Sequence, residues 1–263
     1  MILTNDNKYE ESRRKQLKID EFNSVEHPFM EQLKELGWND DANEVIELQM
    51  QQLPSDSFRT SFSEVVLMPK LRKALKQIND FLTDSQIDEV ANRITAYQGG
   101  TLLENNECIF NLLVEGTSVS RNEQTGEQSP FVRYIDFDHP ENNIFTAISQ
   151  FKVAIPGTDH HIIPDIVLFL NGLPIVVVEA KSPKVSEPLP EAIDQLMRYS
   201  EQRGDTGEGN PALFQYNQFL IVTCRNEAKA GTITTHREKY FYRWTDPYPM
   251  TLNDLTHGQS APN

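Results

Sequence analysis

The chain has 263 residues, of which 38% are hydrophobic, and its formal charge is −15. A chain of this length can bury a sizeable core as one large domain. No segment approaches the roughly 20 consecutive apolar residues of a membrane span, and the charged start of the chain is unlike a signal peptide. The two cysteines, Cys108 and Cys224, stand in apolar surroundings and indicate reduced thiols. We therefore expect a soluble cytoplasmic protein without membrane contact.

The charge and the glycines restrict the function further. An acidic protein repels phosphate at long range, so strong nonspecific DNA binding by the whole surface is excluded, although one local groove is not. No Gly-x-x-x-x-Gly-Lys-Ser/Thr loop occurs among the twelve glycines, so the chain carries no ATP-hydrolysing site of that kind.

The first part of the chain predicts helices. Residues 1–20 are polar and are expected to be a mobile N-terminal segment. Asn23 can cap a helix that runs to Leu36 and ends at Gly37. Glu26 is the third residue after Asn23, where an acid completes a capping box, and this capping role is favoured for it.

Further helices and strands follow in chain order. The helix from Pro69 to Leu82 carries a basic cluster (Lys70, Arg72, Lys73 and Lys76), for which a solvated face is favoured over a phosphate-binding patch. Thr83 and Gln86 form a capping box for the next helix. Beyond these come a helix at Asn105 to Val114, strands at Phe131 to Asp136, Ile144 to Val153, Ile163 to Leu170 and Leu173 to Ala180, a helix at Glu191 to Gln202 and a strand at Gln218 to Cys224. The order predicts an α/β (α+β) fold, with a mixed β-sheet flanked by helices.

The strands on either side of Asn171-Gly172 contain charged residues in an apolar setting. Asn-Gly between two β-branched runs is the strongest local signal for a β-hairpin. Asp165 precedes the first run, and Glu179 and Lys181 end the second. Burying such charges costs several kcal/mol or more unless they pair with each other or bind a cation.

The register of this hairpin decides whether the acids meet. A plain two-residue turn would pair Asp165 with Val178 and send Glu179 to the opposite face. A three-residue loop, or a bulge elsewhere, would bring Asp165 opposite Glu179, and Lys181 shares a face with Glu179 in either case. We predict an odd-numbered loop or a bulge, because only these arrangements bring the three groups together.

Two such carboxylates could bind Mg²⁺ and leave positions for water and a substrate phosphate. The expected chemistry is hydrolysis of a phosphodiester by metal-activated water, with the lysine positioning the water or stabilising negative charge. From Glu-x-Lys alone, an ordinary salt bridge at the solvated end of a strand is the favoured alternative.

The wider sequence resembles a known family. Pro164-Asp165 followed by Glu179-Ala180-Lys181 resembles the PD-(D/E)xK nuclease signature. The surrounding residues resemble the N-terminal nuclease domain of the restriction (R) subunit of type I restriction-modification enzymes. The segments that carry this resemblance are Ile135-Asp136-Phe137, Pro140 to Phe145, Gln150-Phe151, Asn171 to Pro174 and Gln195 to Tyr199.

The resemblance implies roles for particular residues. Asp165 and Glu179 would be metal ligands, Lys181 the catalytic lysine, and Gln195 and Tyr199 a Gln-x-x-x-Tyr element that assists cleavage. These last two are four residues apart and so neighbour each other on one helix face. From the residues alone, the favoured alternative is a half-buried Tyr199 and a surface Gln195. The resemblance also suggests Glu26 as an accessory metal ligand.

The resemblance further implies a cofactor, partners and boundaries. The expected cofactor is Mg²⁺, and ATP would be required only by the motor of a full-length enzyme. The expected partners are double-stranded DNA and the methylation and specificity subunits of a restriction complex. Residues 21–250 would form the PD-(D/E)xK endonuclease domain, and residues 251–263 a polar tail at a truncation point before absent motor domains.

Two other functions stay open. One is an assembly module that is inactive alone and cuts only within the full complex. The other is a repair or recombination nuclease of the same fold.

Overall fold

A computed structural model describes residues 21–38, 43–48, 52–96, 99–225, 227–235 and 237–244. The expected mobile segment, residues 1–20, and the polar tail, residues 251–263, lie outside these ranges.

The helices of the described residues begin and end where local chemistry favours it. Thr83 with Gln86 and Thr101 with Glu104 each form a capping box, the first of them as predicted. None of these helices has the length and apolar character of a membrane span. In chain order they are α1 (His27–Glu35), which continues a π-helical turn (Phe22–Glu26), α2 (Met68–Ile78), α3 (Asp84–Thr95), α4 (Leu102–Glu115), α5 (Pro188–Tyr199) and α6 (Pro211–Phe214).

Among the described residues, seven strands form a central mixed sheet. In their order across the sheet they are β1 (Glu44–Glu47), β4 (Phe145–Ser149), β7 (Ile166–Leu170), β8 (Leu173–Ala180), β9 (Phe219–Thr223), β10 (Ala228–Gly231) and β11 (Tyr242–Arg243). β1 is parallel to β4 and β8 to β9, and the other neighbours are antiparallel. Two short pairs lie outside it, β2 (Thr117–Ser118) with β3 (Phe131–Val132) and β5 (Val153–Ala154) with β6 (His161–Ile162). The predicted mixed sheet flanked by helices is confirmed, and it is consistent with a PD-(D/E)xK-like nuclease fold.

Each face of the sheet has its own core. On one face, Met30 and Leu33 of α1 pack on Ala147, Ile166 and Val178. On the other, a larger core joins α2 to α6 with the remaining inward side chains. The sheet is therefore covered on both faces, and a charged side chain along its middle strands is buried on whichever side it points.

Several predicted bounds differ from the structure. The strand predicted from Phe131 to Asp136 ends at Val132, because the amide and the carbonyl of Arg133 bond to the Asn79 side chain and not to another strand. The strand predicted from Ile144 to Val153 is interrupted at Gln150, whose φ is +53°. α2 ends at Ile78 and not at Leu82, and β1, β10, β11 and α6 were not predicted.

The turn of the β7–β8 hairpin is packed against α2. Asn171 and Gly172 have φ of +53° and +80°, as a two-residue hairpin turn of type I′ requires at both positions. The Asn171 side chain is fully buried and donates to the Tyr134 carbonyl at 2.8 Å. The Gly172 carbonyl accepts from the Leu67 amide at 2.8 Å. This end of the hairpin is thereby fixed against the helical layer.

Gly172→Ala is expected to lower the free energy of unfolding by about 3 kcal/mol, because it combines a left-handed backbone with overpacking. A Cβ atom there would lie 2.5 Å from the Leu67 carbonyl oxygen and 2.8 Å from the Leu71 nitrogen. Gly207→Ala is the matched control, since its φ is +79° and nothing lies within 4 Å of its added Cβ. It should cost only about 1 kcal/mol. Urea unfolding of both variants measures the difference, and equal losses would contradict the packing of this turn.

Candidate active site

A β-bulge in β8 sets the register of the hairpin. Next to the turn, Leu170 pairs with Leu173 and Phe169 with Pro174, whereas Leu168 pairs with Val176, so Ile175 is the extra residue. Beyond the bulge Ile166 faces Val178, and the same register places Asp165 beside Glu179. The predicted bulge is confirmed, and the turn itself holds two residues, not three.

Asp165, Glu179 and Lys181 meet at the end of this hairpin. The Lys181 Nζ donates to Glu179 Oε1 at 2.9 Å and to the Ala180 carbonyl at 3.0 Å. The Ala180 amide donates to Asp165 Oδ2 at 2.8 Å. Asp165 and Lys181 are buried, and Glu179 is fully buried. The pair is therefore not the salt bridge at a solvated strand end that Glu-x-Lys alone would favour.

Helix α5 carries Gln195 and Tyr199 to the same place. The Gln195 Nε2 donates both to Glu179 Oε1 and, at 2.9 Å, to the Tyr199 hydroxyl. Tyr199 is buried and Gln195 is half-buried. The structure thus brings both residues of the Gln-x-x-x-Tyr element to the Glu179 carboxylate.

Glu26 also reaches this cluster, and its expected capping role is wrong. Residues 21–26 are already helical, so Asn23 lies inside the helix and neither Glu21 nor Glu26 makes a side-chain capping bond. The Glu26 side chain is buried, and its Oε2 accepts from Gln150 Nε2 at 2.6 Å. One carboxylate oxygen each of Glu21, Glu26 and Asp165 lie within 4.8 Å of one another.

Sequence reasoning missed Glu21 and Gln150. Glu21 accepts a hydrogen bond from the Ser182 amide at 3.1 Å, directly after Lys181. Gln150 Nε2 contacts Asp165 Oδ1 at 3.4 Å in addition to Glu26. Glu21 and Glu26 are five residues apart, a spacing that joins side chains in a π-helical turn but has no recognised pattern in a sequence. Gln150 was noted only as part of the Gln150-Phe151 segment of the family resemblance, and no role was predicted for it.

Burial dominates the electrostatics of the cluster. It raises the pKa of Glu26 to about 8, with the Asp165 charge adding to the rise and the Gln150 hydrogen bond opposing it. Burial raises the pKa of Glu179 well above its usual range, and neighbouring Asp165 raises it further. The pKa of Asp165 is raised by burial against the opposing charge of Lys181. The site therefore contains more carboxyl groups than the Lys181 ammonium could neutralise if all of them were ionised, and in the metal-free chain part of them keep their protons.

The donor set fits a hard divalent cation. Asp165, Glu179 and Glu26 offer carboxylate oxygens, which Mg²⁺, Mn²⁺ and Ca²⁺ prefer. When Glu179 is protonated it donates to the Asp165 carboxylate, but when it is ionised its buried Oε2 accepts no hydrogen bond from the described residues. A buried carboxylate oxygen without a donor is costly, and a cation at this position would satisfy it.

A second group of possible ligands lies at the surface. His27, Glu31 and Glu47 come together there, but the Lys34 ammonium already contacts Glu31 at 2.6 Å and Glu47 at 3.0 Å. The lysine supplies the positive charge that a metal would bring, so this group is a surface ion-pair network.

The metal-free chain is expected to lose stability as the pH rises from about 5 to about 8. Between the ordinary pKa of 4.5 and the folded-state value of about 8, the folded chain holds a proton on Glu26 that the unfolded chain releases. The stabilisation that comes from protonated Glu26 is fully present below pH 4.5 and is lost as the pH rises through about 8. Asp165 and Glu179, whose pKa values are also raised, act in the same direction.

The melting temperature in EDTA, measured from pH 5 to 9, should fall less steeply in Glu26→Gln than in the wild type. Glu35→Gln, an exposed acid on the same helix, is the control and should keep the wild-type slope. An unchanged slope in Glu26→Gln would show that Glu26 is ionised in the folded chain throughout this range.

Comparison with known proteins identifies the family of this chain. The family model described as the type I restriction enzyme R protein N terminus matches residues 18–239. The type I restriction enzyme HindI endonuclease subunit of Haemophilus influenzae is 29% identical over 219 residues. The putative type I restriction enzyme MjaIXP and MjaVIIIP endonuclease subunits of Methanocaldococcus jannaschii are 26% identical over 230 residues and 32% identical over 193 residues.

These matches cover most of this chain but little of the relatives. They span 83%, 87% and 72% of the chain, and 20%, 21% and 17% of the three relatives in the same order. The chain thus spans about a fifth of the length of these curated relatives. Because the family model covers residues 18–239, with the described sheet from β1 to β10 inside it, the chain belongs to the family of the type I restriction enzyme R protein N terminus.

Proposed function

We propose that this chain is the metal-dependent endodeoxyribonuclease domain of a type I restriction enzyme R subunit, and that it hydrolyses DNA phosphodiester bonds. The observation that carries the proposal is the burial of Asp165 between two acids, because it lies beside the buried Glu179, whose Oε2 accepts no hydrogen bond from the described residues, and within reach of Glu26. A site assembled only for stability would pair this oxygen. A site assembled for a cation would leave it as a ligand.

Asp165, Glu179 and Glu26 would hold Mg²⁺. When bound, the ion supplies positive charge at the phosphoryl oxygens and lowers the pKa of a coordinated water. Gln195 orients Glu179 through its hydrogen bond and is itself fixed to the Tyr199 hydroxyl. We propose that the Tyr199 hydroxyl assists cleavage through Gln195, by helping to position the Glu179 carboxylate.

Lys181 acts as a cation and not as a base. Burial acts to lower the pKa of its ammonium, but the charges of Glu179 and Asp165 outweigh burial and raise it above its usual range. The ammonium therefore keeps its proton at neutral pH. It can donate to the attacking water or to the phosphoryl oxygens, and it stabilises the negative charge that develops there.

A pocket between α1 and the end of β9 is proposed as a path for the DNA backbone. It has a volume of about 380 Å³ and includes Thr223, the neighbour of Ala180 in the sheet. Its lining includes the exposed side chain of Arg225, which makes no ion pair with any residue that the structure describes. The remaining lining residues are Asn23, Ser24, Val25, Pro28, Phe29 and Gln32.

The basic cluster of α2 is a weaker candidate for DNA contact. Lys70 pairs with Glu44 at 2.6 Å, Arg72 pairs with Asp88 at 2.5 Å, and Lys76 donates to the Asp80 carbonyl at 2.9 Å. These three cationic side chains are already bonded to groups of this chain. We propose that Arg225 contacts a phosphate next to the one that is cut, with double-stranded DNA as the substrate and the methylation and specificity subunits as further partners.

Mutation of the acids should abolish metal binding and cleavage together. Asp165→Asn is expected to weaken Mn²⁺ binding by about 100-fold or more, since loss of a ligand exceeds the 10–100-fold effect of outer-sphere changes. Plasmid nicking should fall by at least about 100-fold. Lys181→Met should keep Mn²⁺ binding, or tighten it because a competing cation is gone, while nicking is lost.

Calorimetric titration and nicking on the same samples measure both properties, with the exposed Asp159→Asn as control. Wild-type binding without nicking would favour the assembly module that cuts only within the full complex. Nicking of branched but not of linear duplexes would favour a repair or recombination nuclease. Absence of Mn²⁺ binding in the wild type would overturn the proposed site.

Arg225→Gln should weaken duplex binding and lower the slope of log affinity against log salt concentration by about 1, because one phosphate contact is lost. Mn²⁺ affinity should stay at the wild-type value. Arg121→Gln is the matched control, since Arg121 is also exposed. Its carbonyl bonds to Gln86 of α3, and α3 contacts Tyr134 beside the Asn171 turn, which is the opposite end of the hairpin from the acids. Fluorescence anisotropy of a labelled duplex gives both slopes, and equal slopes for the two variants would remove Arg225 from the DNA path.

A further inference from the structure

Gln150 joins two acids that come from different layers of the fold. Its Nε2 donates to Glu26 Oε2 at 2.6 Å and contacts Asp165 Oδ1 at 3.4 Å. Glu26 belongs to the helix on one face of the sheet, and Asp165 immediately precedes β7. A single carboxamide thus bridges the helix and the strand at the point where the proposed metal ligands meet.

The backbone of Gln150 is held in a position that this side chain requires. Its φ of +53° lies in the left-handed region, which costs a non-glycine residue on the order of 1–2 kcal/mol. Two hydrogen bonds fix the residue there, from its own amide to the Asp165 carbonyl at 2.7 Å and from Gln52 Nε2 to its carbonyl at 2.7 Å. Strain that is fixed by surrounding contacts and directs a side chain into a site is typical of functional positions.

The Glu26 carboxylate depends on this one bond. No other hydrogen-bond donor among the described residues contacts it. Without the carboxamide, no amide would hold Glu26 beside Asp165, and once both acids are ionised, as metal binding requires, their like charges would turn the Glu26 side chain away. The position of the helix acid therefore follows from Gln150.

We propose that Gln150 is a positioning residue that holds the Glu26 carboxylate beside Asp165 and thereby sets how tightly the site binds a divalent cation. The inference rests on the proposed metal-dependent function. Gln150 acts through Glu26 and is not assigned a contact with the reacting atoms.

Gln150→Leu removes the donor at nearly constant size and is expected to lower the affinity for Mn²⁺ by about 10-fold, the lower end of the range for groups that orient ligands. In a Glu26→Gln background the same substitution should have no further effect on Mn²⁺ affinity, because the residue acts through Glu26. Gln128→Leu, on an exposed loop, is the matched control and should bind Mn²⁺ as the wild type does. Calorimetric titration of Mn²⁺ into the full chain gives all of these values.

Gln150→Asn is a second test that does not depend on tolerance of leucine. It keeps the polar group but is one methylene too short to reach both acids, so it should show the same loss of affinity. Wild-type affinity in a folded Gln150→Leu or Gln150→Asn chain would overturn the inference while leaving the metal site in place. An equal loss in the Glu26→Gln background would also overturn it. A wild-type chain that binds no Mn²⁺ would overturn the metal site and the inference together.

Discussion

The bulge at Ile175 is the constraint on which the site depends. Side chains alternate along a strand, so one extra residue reverses the face of every residue that follows it. With the bulge, Glu179 and Lys181 share the face of Val177 and lie beside Asp165. The extra residue costs little, because the Ile175 carbonyl accepts from the Gln218 amide at 2.7 Å at the start of β9. The same irregularity therefore satisfies the neighbouring strand and brings the catalytic candidates together.

The chemistry of the site follows from an incomplete balance of charge. Glu26, Asp165 and Glu179 are buried against one ammonium, that of Lys181, and against the neutral amides of Gln150 and Gln195. Amides donate hydrogen bonds but bring no net charge, so they hold the carboxylates in place without neutralising them. In the metal-free chain, burial and the remaining like charge raise the pKa values of Glu26 and Glu179, and burial raises that of Asp165. A divalent cation would supply the missing positive charge. Stability and cation binding are thus coupled at this point.

Part of this could be predicted from the sequence, because the signals were local. Asn171-Gly172 predicted the hairpin, and Thr83 with Gln86 predicted a helix start. The convergence of Asp165, Glu179 and Lys181 predicted an odd-numbered loop or a bulge, and the structure has the bulge. Features that depend on distant contacts could not be predicted. Strand β1 gains its partner about one hundred residues away, and its four residues carry no alternating pattern.

The side-chain positions of Glu26 and Gln150 could not be predicted from the local sequence, for two different reasons. Glu26 fits a capping box by spacing, but Asn23 already lies inside the helix, and burial against the sheet decides where the carboxylate points. Gln150 adopts a left-handed conformation that glycine or asparagine would have signalled and glutamine does not. In both cases the tertiary contact, not the local preference, fixes the side chain.

The acidity of the whole chain and the proposed activity are compatible because they act over different distances. Charge on an exposed surface is screened beyond about 10 Å at ordinary ionic strength, so a formal charge of −15 weakens encounter with DNA more than it alters contacts inside a site. Within the cluster, the carboxylates that repel a bare phosphate are the groups that would recruit the cation between them and that phosphate. The proposed nuclease would therefore hold a duplex mainly through the bound cation and local contacts, and not through the charge of its whole surface.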